Sequence, residues 1–523
     1  MLEASFAANP AQPAAHHVLF ARLLRDGGLA ERAEAHARAA VEAAPALAAA
    51  RALLATLLRA RARSLHGAAL PTQAIPLYRE ALALDDRDAD AWNSLGVALT
   101  DVGRHAEARD AYGEALKRRP DYWQVGSNLL VHLHYDGTIP PETIFEAHRA
   151  WAARHAASLK PAVLMPRAEG TRRRIGFLSP AFASGPTATF VKPLFAHLDR
   201  ASFEVVVFDL GPGDEATAAL RVLSHEWHKL RDADDAAVTQ CIVDARLDVL
   251  VDLAGHAPGG RPLVLARKPA PRIVTWLDYF DTTGLDSVDL LVGDPVSTPE
   301  GGAQRFTEEV VRIDPVRLCY AAPDDTPAVA PLPMERNRFP TFGSFSRQSK
   351  ITEDVVGWWS DVLRAVPSSH LVVKNAALTD PGCRHDLLSR FAARGVDAAR
   401  LDLRGPSPHA AMLAEYGDID VALDTFPYNG GLTTCEALWM GVPVVTVLGE
   451  ALISRQSAAL LAASGNARWV GRDSHAATRI ASALVSDPAV LAETRAGLRD
   501  AMARSPLMDG PRFAREFARV ALG

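Results

Sequence analysis

The hydrophobic positions of this chain change period near residue 173. Up to about residue 160 they recur at helical spacing, in a run rich in alanine, arginine and leucine with few β-branched stretches. From Arg173 onward, short apolar runs alternate with helical stretches; the runs are 174–178, 204–210, 247–253, 273–276 and 290–293. A proline-rich break at 323–333 interrupts them, and the alternation restarts at 341–345, 371–374, 401–403, 421–423 and 444–446. Strands alternating with helices predict parallel sheets covered by helices on both faces. The chain therefore reads as an α region over 1–160, followed by two doubly wound α/β lobes over 173–325 and 335–523, with residues 161–172 as a junction marked by Pro161 and Pro166. Ligands in such sheets bind beyond the carboxyl ends of the strands. Two lobes joined by a linker thus predict a cleft.

The helical region repeats itself. Ala74, Tyr78 and Ala81 recur as Ala108, Tyr112 and Ala115, a shift of 34 residues. Trp92, Leu95, Gly96 and Leu99 precede the second set, and Pro120 closes it. This is the tetratricopeptide pattern, in which small residues let two helices approach and aromatics fill the space between neighbouring pairs. Ala33, Ala37, Ala40 and Pro45 suit an earlier, degenerate repeat, and Leu129 with Leu133 begins a later one. Stacked repeats present a concave surface, usually to a protein or peptide.

Candidate chemistry concentrates at 424–446. Val421 to Leu423 supply a strand; Asn429, Gly430 and Gly431 supply a turn that a backbone can approach closely; Thr433, Thr434 and Glu436 fall at the start of a helix that Pro443 follows. Free N–H groups at a helix N-terminus attract phosphate, and a carboxylate one turn in is placed to accept hydrogen bonds from ribose. The same spacing fits an ordinary βαβ unit whose glycines only make the turn.

Composition narrows the class. Of 523 residues, 48% are hydrophobic and 23% charged, as in globular proteins, and the net charge of −6 provides no basic footprint for nucleic acid. The four cysteines (Cys241, Cys319, Cys383, Cys435) form no CxxC pair, which argues against a disulfide framework or a zinc site. The first 17 residues lack the basic and apolar regions of a signal peptide, and no apolar run reaches the length of a membrane span, so the sequence predicts a cytoplasmic protein.

Several motifs occurring in order carry a resemblance. Tetratricopeptide repeats followed by two Rossmann-like lobes, the second containing DTFPYNGG-L-TT-CEALW-M-GVPVVT from Asp424, resemble the O-GlcNAc transferases, especially bacterial members of this glycosyltransferase group (family 41-like). His148-Arg-Ala-Trp151, Asp252-Leu-Ala-Gly-His256, Trp276-Leu-Asp-Tyr-Phe-Asp-Thr-Thr-Gly284, Ser349-Lys350-Ile351-Thr352 and Ser454-Arg455 are similar to further family segments. The resemblance implies a GT-B fold and an inverting, metal-independent transfer of a sugar from a nucleotide-sugar co-substrate, with UDP-GlcNAc the expected donor and Ser or Thr of a protein the expected acceptor. The acceptor would engage the repeat groove and the cleft between the lobes. No separate cofactor, nucleic acid or membrane is implied, and a homo-oligomer is left open.

Carried over by position, Lys350 and His256 are the expected catalytic residues. Arg347, Lys350, His409, Asn429, Gly430, Gly431, Thr433, Thr434 and Glu436 are expected on the donor, and Asp278 and Asp281 on the acceptor side. The sequence also departs from the family. Ala181 and Gly185 stand where an acid and a reacting-centre histidine are usual, Arg347 where an amide is usual, Met412 where a histidine is common, His409 in place of a lysine, and Leu432 in place of a polar residue. These changes keep two alternatives in view: a flagellin-type glycosyltransferase using a CMP-linked nonulosonic acid, and a non-catalytic repeat module with a degenerate transferase domain.

Overall fold

The computed structural model describes residues 13–165 and 172–522; the junction at 166–171 and the first 12 residues of the chain start lie outside them. The chain packs as two compact units. One is the described part of Met1–Gly126 together with Ala376–Leu387, and the other is the described part of Ser127–Asn375 with Leu388–Gly523.

In the first unit the helices pair as hairpins: Ala14–Asp26 with Ala30–Ala43, Ala48–Gly67 with Pro71–Leu84, and Ala89–Asp101 with His105–Arg118. The small residues of the repeat pattern form the contact surfaces. Ala33, Ala37, Ala40, Ala74 and Ala108 are all fully buried, and Tyr78 and Tyr112 fill the matching positions in successive pairs. Gly96 is required by its partner helix, since a Cβ there would stand 2.6 Å from the Tyr112 ring. The segment Ala376–Leu387, far away in sequence, joins this unit through Asp380. Its carboxylate accepts from the Thr72 backbone N–H at 2.8 Å and hydroxyl at 2.6 Å, so it satisfies an orphan donor in the first turn of Pro71–Leu84.

The second unit contains both sheets. Strands β1 (Arg173–Ser179), β2 (Phe203–Asp209), β3 (Glu226–Lys229), β4 (Val249–Asp252), β5 (Arg272–Thr275), β6 (Leu290–Gly293) and β7 (Glu309–Arg312) form one parallel sheet in the order 3-2-1-4-5-6-7. Strands β8 (Thr341–Ser344), β9 (His370–Lys374), β10 (Leu401–Arg404), β11 (Val421–Leu423), β12 (Val444–Val447) and β13 (Val470–Gly471) form the other in the order 10-9-8-11-12-13. In each sheet the order reverses next to the first strand, at β1/β4 and at β8/β11. Two sheets with this winding make the GT-B arrangement expected from the sequence. Interior strands such as β4, β6, β8 and β12 are buried at every residue because helices cover both faces.

The sequence pattern missed β3, β7 and β13. All three are sheet edges: β3 (EWHK) and β7 (EVVR) are partly exposed along their length, and β13 has two residues. An edge strand has one pairing neighbour and no need of a continuous apolar run. The last helix, Gly510–Leu522, returns to the first sheet, where Phe517 packs 4.8 Å from Trp276. The proline-rich linker is strapped to the second lobe by arginines: Arg495 donates to the Ala330 carbonyl at 2.7 Å and Arg499 to Pro327 at 2.7 Å.

Replacing Gly96 by valine forces side-chain volume into the Tyr112 ring. The repeat unit is expected to lose about 1–3 kcal/mol of stability, read as an earlier urea midpoint followed by far-ultraviolet dichroism; an unchanged midpoint contradicts the close helix approach.

Candidate active site

The second switch point organises the site. β8 leads into Ser346, Arg347 and the single turn Gln348–Lys350, while β11 leads into Asp424 and the glycine turn. Ser344, Ser346, Tyr416, Asp424, Thr433 and Thr434 line a pocket between the two exits.

Asp424 fixes the turn. It is 4% exposed, and its carboxylate accepts from the Gly430 N–H and from the Thr446 hydroxyl, both at 2.7 Å. Asn429 donates to the Thr425 carbonyl at 2.8 Å, and the Gly430 carbonyl accepts from Ser457 at 3.0 Å and Gln456 at 3.2 Å. A side chain on either glycine would crowd its neighbours. A Cβ on Gly430 would come 2.6 Å from the Thr434 hydroxyl, and one on Gly431 2.6 Å from Gln456. The turn delivers the chain to the helix Leu432–Trp439, whose N-terminus no side chain caps. Its first N–H groups are the orphan donors of any helix start, and they lie beside a half-exposed Thr433. Thr434 is different: it is buried and its hydroxyl pairs with Ser457 at 2.9 Å, so only its backbone faces the role expected for it.

Lys350 closes the other side of the turn. Its Nζ donates to the Asn429 carbonyl at 2.7 Å and lies 4.0 Å from the centre of the Tyr428 ring. Burial, then the neighbouring Arg347, lowers its pKa to about 7, against the opposing pull of Asp424. Glu436 and His409 meet at 2.7 Å, Glu436 buried and His409 half-exposed. Burial raises the Glu436 pKa while His409 lowers it, and the bond to Glu436 raises that of His409. The residues expected on the donor are thus gathered around one turn and one helix start. Arg347, which precedes the turn Gln348–Lys350, is exposed.

The first-lobe expectations divide. His256 is 1% exposed, with Nδ1 bonded to the Ser127 hydroxyl and Nε2 to the Thr283 carbonyl, each at 2.9 Å, and Trp151 against its ring. Burial, then His148, lowers its pKa to about 3. Both ring nitrogens of His256, which the sequence puts forward as catalytic, are thus occupied by hydrogen bonds within the chain. Asp281 is 3% exposed, accepts from the Thr282 N–H at 2.7 Å and lies 3.4 Å from buried His134. Asp278 is the least buried of the three. It accepts from the Thr187 hydroxyl and is within electrostatic reach of Arg347 and Arg317. Arg455 packs the lobes together by donating to the carbonyls of Val296 at 2.7 Å and Gly449 at 2.8 Å.

Three residues were not singled out from sequence. Tyr428 was readable only as part of a motif, yet its ring carries Lys350. Buried Arg317 joins the Leu277 carbonyl at 3.1 Å to Gln456 at 3.4 Å, spanning the lobes. Neither Arg317 nor Gln456 belongs to a local pattern; a buried arginine becomes visible only once the sheets are assembled.

Comparison with known proteins agrees with this construction. The glycosyl transferase family 41 model matches residues 154–315 and 337–517, and a tetratricopeptide repeat model matches 89–122. The chain belongs to glycosyl transferase family 41. It is 34% identical over 415 residues, 77% of its length, to a rice (Oryza sativa subsp. japonica) protein named probable UDP-N-acetylglucosamine--peptide N-acetylglucosaminyltransferase SPINDLY. The identically named Arabidopsis thaliana protein is 34% identical over 404 residues, 76% of the chain. The chain spans 45% and 44% of the lengths of these two relatives. A solved O-GlcNAc transferase from Thermobaculum terrenum, in a lysine-to-methionine mutant form, superimposes with a TM-score of 0.83 at 33% identity, covering 97% of this chain and 96% of that one.

Substituting Asp424 by alanine strips two buried donors, the Gly430 N–H and the Thr446 hydroxyl, of their acceptor. At about 1–3 kcal/mol for each of the two unsatisfied groups, the second unit should lose about 2–6 kcal/mol, measurable by urea denaturation. A loss below about 1 kcal/mol would mean that the turn does not depend on this carboxylate.

Proposed function

We propose that this chain is a protein O-glycosyltransferase that moves a sugar, with inversion, from a nucleoside-diphosphate donor to a Ser or Thr hydroxyl. The observation that carries the reading is the position of Lys350, whose ammonium rests on the glycine-turn carbonyl of Asn429 beside an uncapped helix start at a switch point. A diphosphate seated there meets N–H groups and a cation together. As the bond between the anomeric carbon and the phosphate oxygen breaks, the electron pair passes to the phosphate, and these donors stabilise the charge that develops. Glu436, held by His409, is one turn further along the helix, where a ribose would follow the phosphates.

UDP-GlcNAc is the first donor to try, because the named relatives carry it in their names. The acceptor is a peptide segment. The repeat unit supports this reading with a groove lined by Leu82, Trp92, Leu95 and Leu99 and edged by Glu107 and Asp110. No helix among the described residues is long and apolar enough to cross a membrane.

The test is a thermal-shift panel of UDP, UDP-GlcNAc, UDP-glucose, GDP, a GDP-sugar, CMP and a CMP-nonulosonate, each with and without Mg²⁺, followed by transfer assays with the nucleotide sugars that bind. Ligand at 100 times its Kd stabilises by about 2.7 kcal/mol, so occupancy is visible. Stabilisation by a nucleoside diphosphate supports the proposal; stabilisation by cytidine monophosphate alone points to the nonulosonate alternative, and none by any nucleotide points to a binding module. In the active case Lys350→Ala should reduce transfer about 10²–10³-fold, the usual cost of one oxyanion donor, with the fold retained. A Lys350→Ala variant turning over at the wild-type rate contradicts the mechanism.

The lowered pKa of Lys350 gives a second readout. At pH 8 the ligand-free lysine, with a pKa of about 7, is mostly neutral. A bound diphosphate favours the charged form and raises the pKa, so binding should take up a proton, approaching about one per ligand. Calorimetry of UDP binding in buffers of different ionisation enthalpy measures this. Equal uptake in wild type and Lys350→Ala would show that the proton goes elsewhere.

A further inference from the structure

Transfer to a hydroxyl requires a group that takes its proton. The loop entering the helix Pro186–His197 carries Ala181 and Gly185, neither of which can. The carboxylates at the carboxyl ends of the first-lobe strands offer more, and most are shut away from an acceptor. Asp209, Asp252 and Asp294 are all within 2% of full burial, and each accepts through one oxygen from a backbone N–H of its own loop: Gly211 at 2.9 Å, Gly255 at 2.7 Å and Ser297 at 2.6 Å; the other oxygen of Asp252, Oδ1, is buried without a partner.

Asp278 differs in three respects. It is mostly buried but keeps some exposed surface. Its carboxylate is held by a side-chain hydroxyl, that of Thr187 in the first turn of Pro186–His197. The residue before it, Leu277, has φ of 88°, a left-handed conformation uncommon for leucine and held by Arg317 on the Leu277 carbonyl. Leu277 leaves β5 in this conformation, and Asp278 stands within electrostatic reach of second-lobe residues. The titratable and charged groups facing it are Arg347 and Tyr428 from the second lobe, and Arg317 and Asp252 from the first. Tyr428 and Arg347 are also the neighbours of Lys350. One tyrosine–arginine pair is therefore shared by a carboxylate on the first lobe and the ammonium on the second.

We propose that Asp278 is the general base of the transfer. The inference rests on the function proposed above. The acceptor oxygen forms its bond to the anomeric carbon and gives its proton to the Asp278 carboxylate; the bond from that carbon to the phosphate breaks, and its electron pair leaves with the nucleoside diphosphate. The proton passes to solvent before the next turnover. Burial raises the Asp278 pKa to about 6, with Thr187 and the two arginines pulling it down. Such a carboxyl is ionised at neutral pH yet basic enough to accept a proton in the transition state.

The experiment compares the full chain with Asp278→Asn and Thr187→Val, using the nucleotide sugar that turns over in the panel above and a Ser/Thr peptide pool. Asp278→Asn should lower kcat by about 10²–10⁴-fold, the range for a general base, while the thermal shift with UDP remains. In wild type kcat/KM should fall on the acid side with a midpoint near pH 6. Thr187→Val removes a bond that lowers this pKa, so the same limb should move to higher pH. Formate should restore part of the rate to Asp278→Gly. If the wild type transfers and Asp278→Asn keeps its kcat within about threefold, with the acid limb in place, Asp278 is not the base and the function stands. If the wild type transfers no sugar from any member of the panel, the function and the base assignment both fail.

Discussion

One buried carboxylate sets the geometry of the second lobe. Asp424 ends β11 and is bonded at once to the glycine turn through Gly430 and to β12 through Thr446. Burial raises its pKa, and the donors around it, Ser457 and Thr446 first, oppose that shift. A carboxylate in such a place is tolerable only because each oxygen is satisfied, and the same bonds make the turn rigid. The carbonyl of Asn429, the N-terminus of Leu432–Trp439 and the seat of Lys350 all follow from that rigidity.

The two sheets then divide the chemistry. Each reverses its strand order beside its first strand, so each has one crevice at its strand ends. The second lobe places N–H groups and a cation in its crevice. The first places carboxylates, of which Asp278 is partly exposed and within electrostatic reach of Arg347 and Tyr428. Lys350 is held short of full charge by burial. In the proposed reaction a polyanion entering the crevice would restore that charge and so couple substrate binding to preparation of the cation. The arrangement suits phosphate departure on one wall and proton acceptance on the other.

Much of this was legible in the sequence, for reasons that also explain what was not. The repeat register was visible because Ala74/Ala108 and Tyr78/Tyr112 each serve the same packing contact one repeat apart. The interior strands were visible because burial on both faces demands unbroken apolar runs; the edges β3, β7 and β13 escaped because it does not apply to them. The glycine turn, Lys350 and Glu436 were local patterns, and the structure brings them together. The burial of His256 and Asp281 was not legible, because a polar residue after a buried strand reads the same whether it faces a cleft or a neighbouring helix. Only assembly shows Ser127 and Trp151 closing over His256 and His134 beside Asp281. Asp278 shares that sequence context and differs through the φ of Leu277 and the partner Thr187, neither of which any spacing encodes.

The central claim is that the turn at Asn429–Gly431, the helix start after it and Lys350 form one diphosphate seat. Its most direct test is a crystal structure of the full chain with UDP or, if the binding panel selects another, that nucleoside diphosphate. The account predicts the phosphates within hydrogen-bond reach of the N–H groups of Leu432 to Thr434, with Lys350 Nζ turned from the Asn429 carbonyl onto a phosphate oxygen. A nucleotide bound elsewhere, or one bound here with Lys350 still on the Asn429 carbonyl, would contradict it.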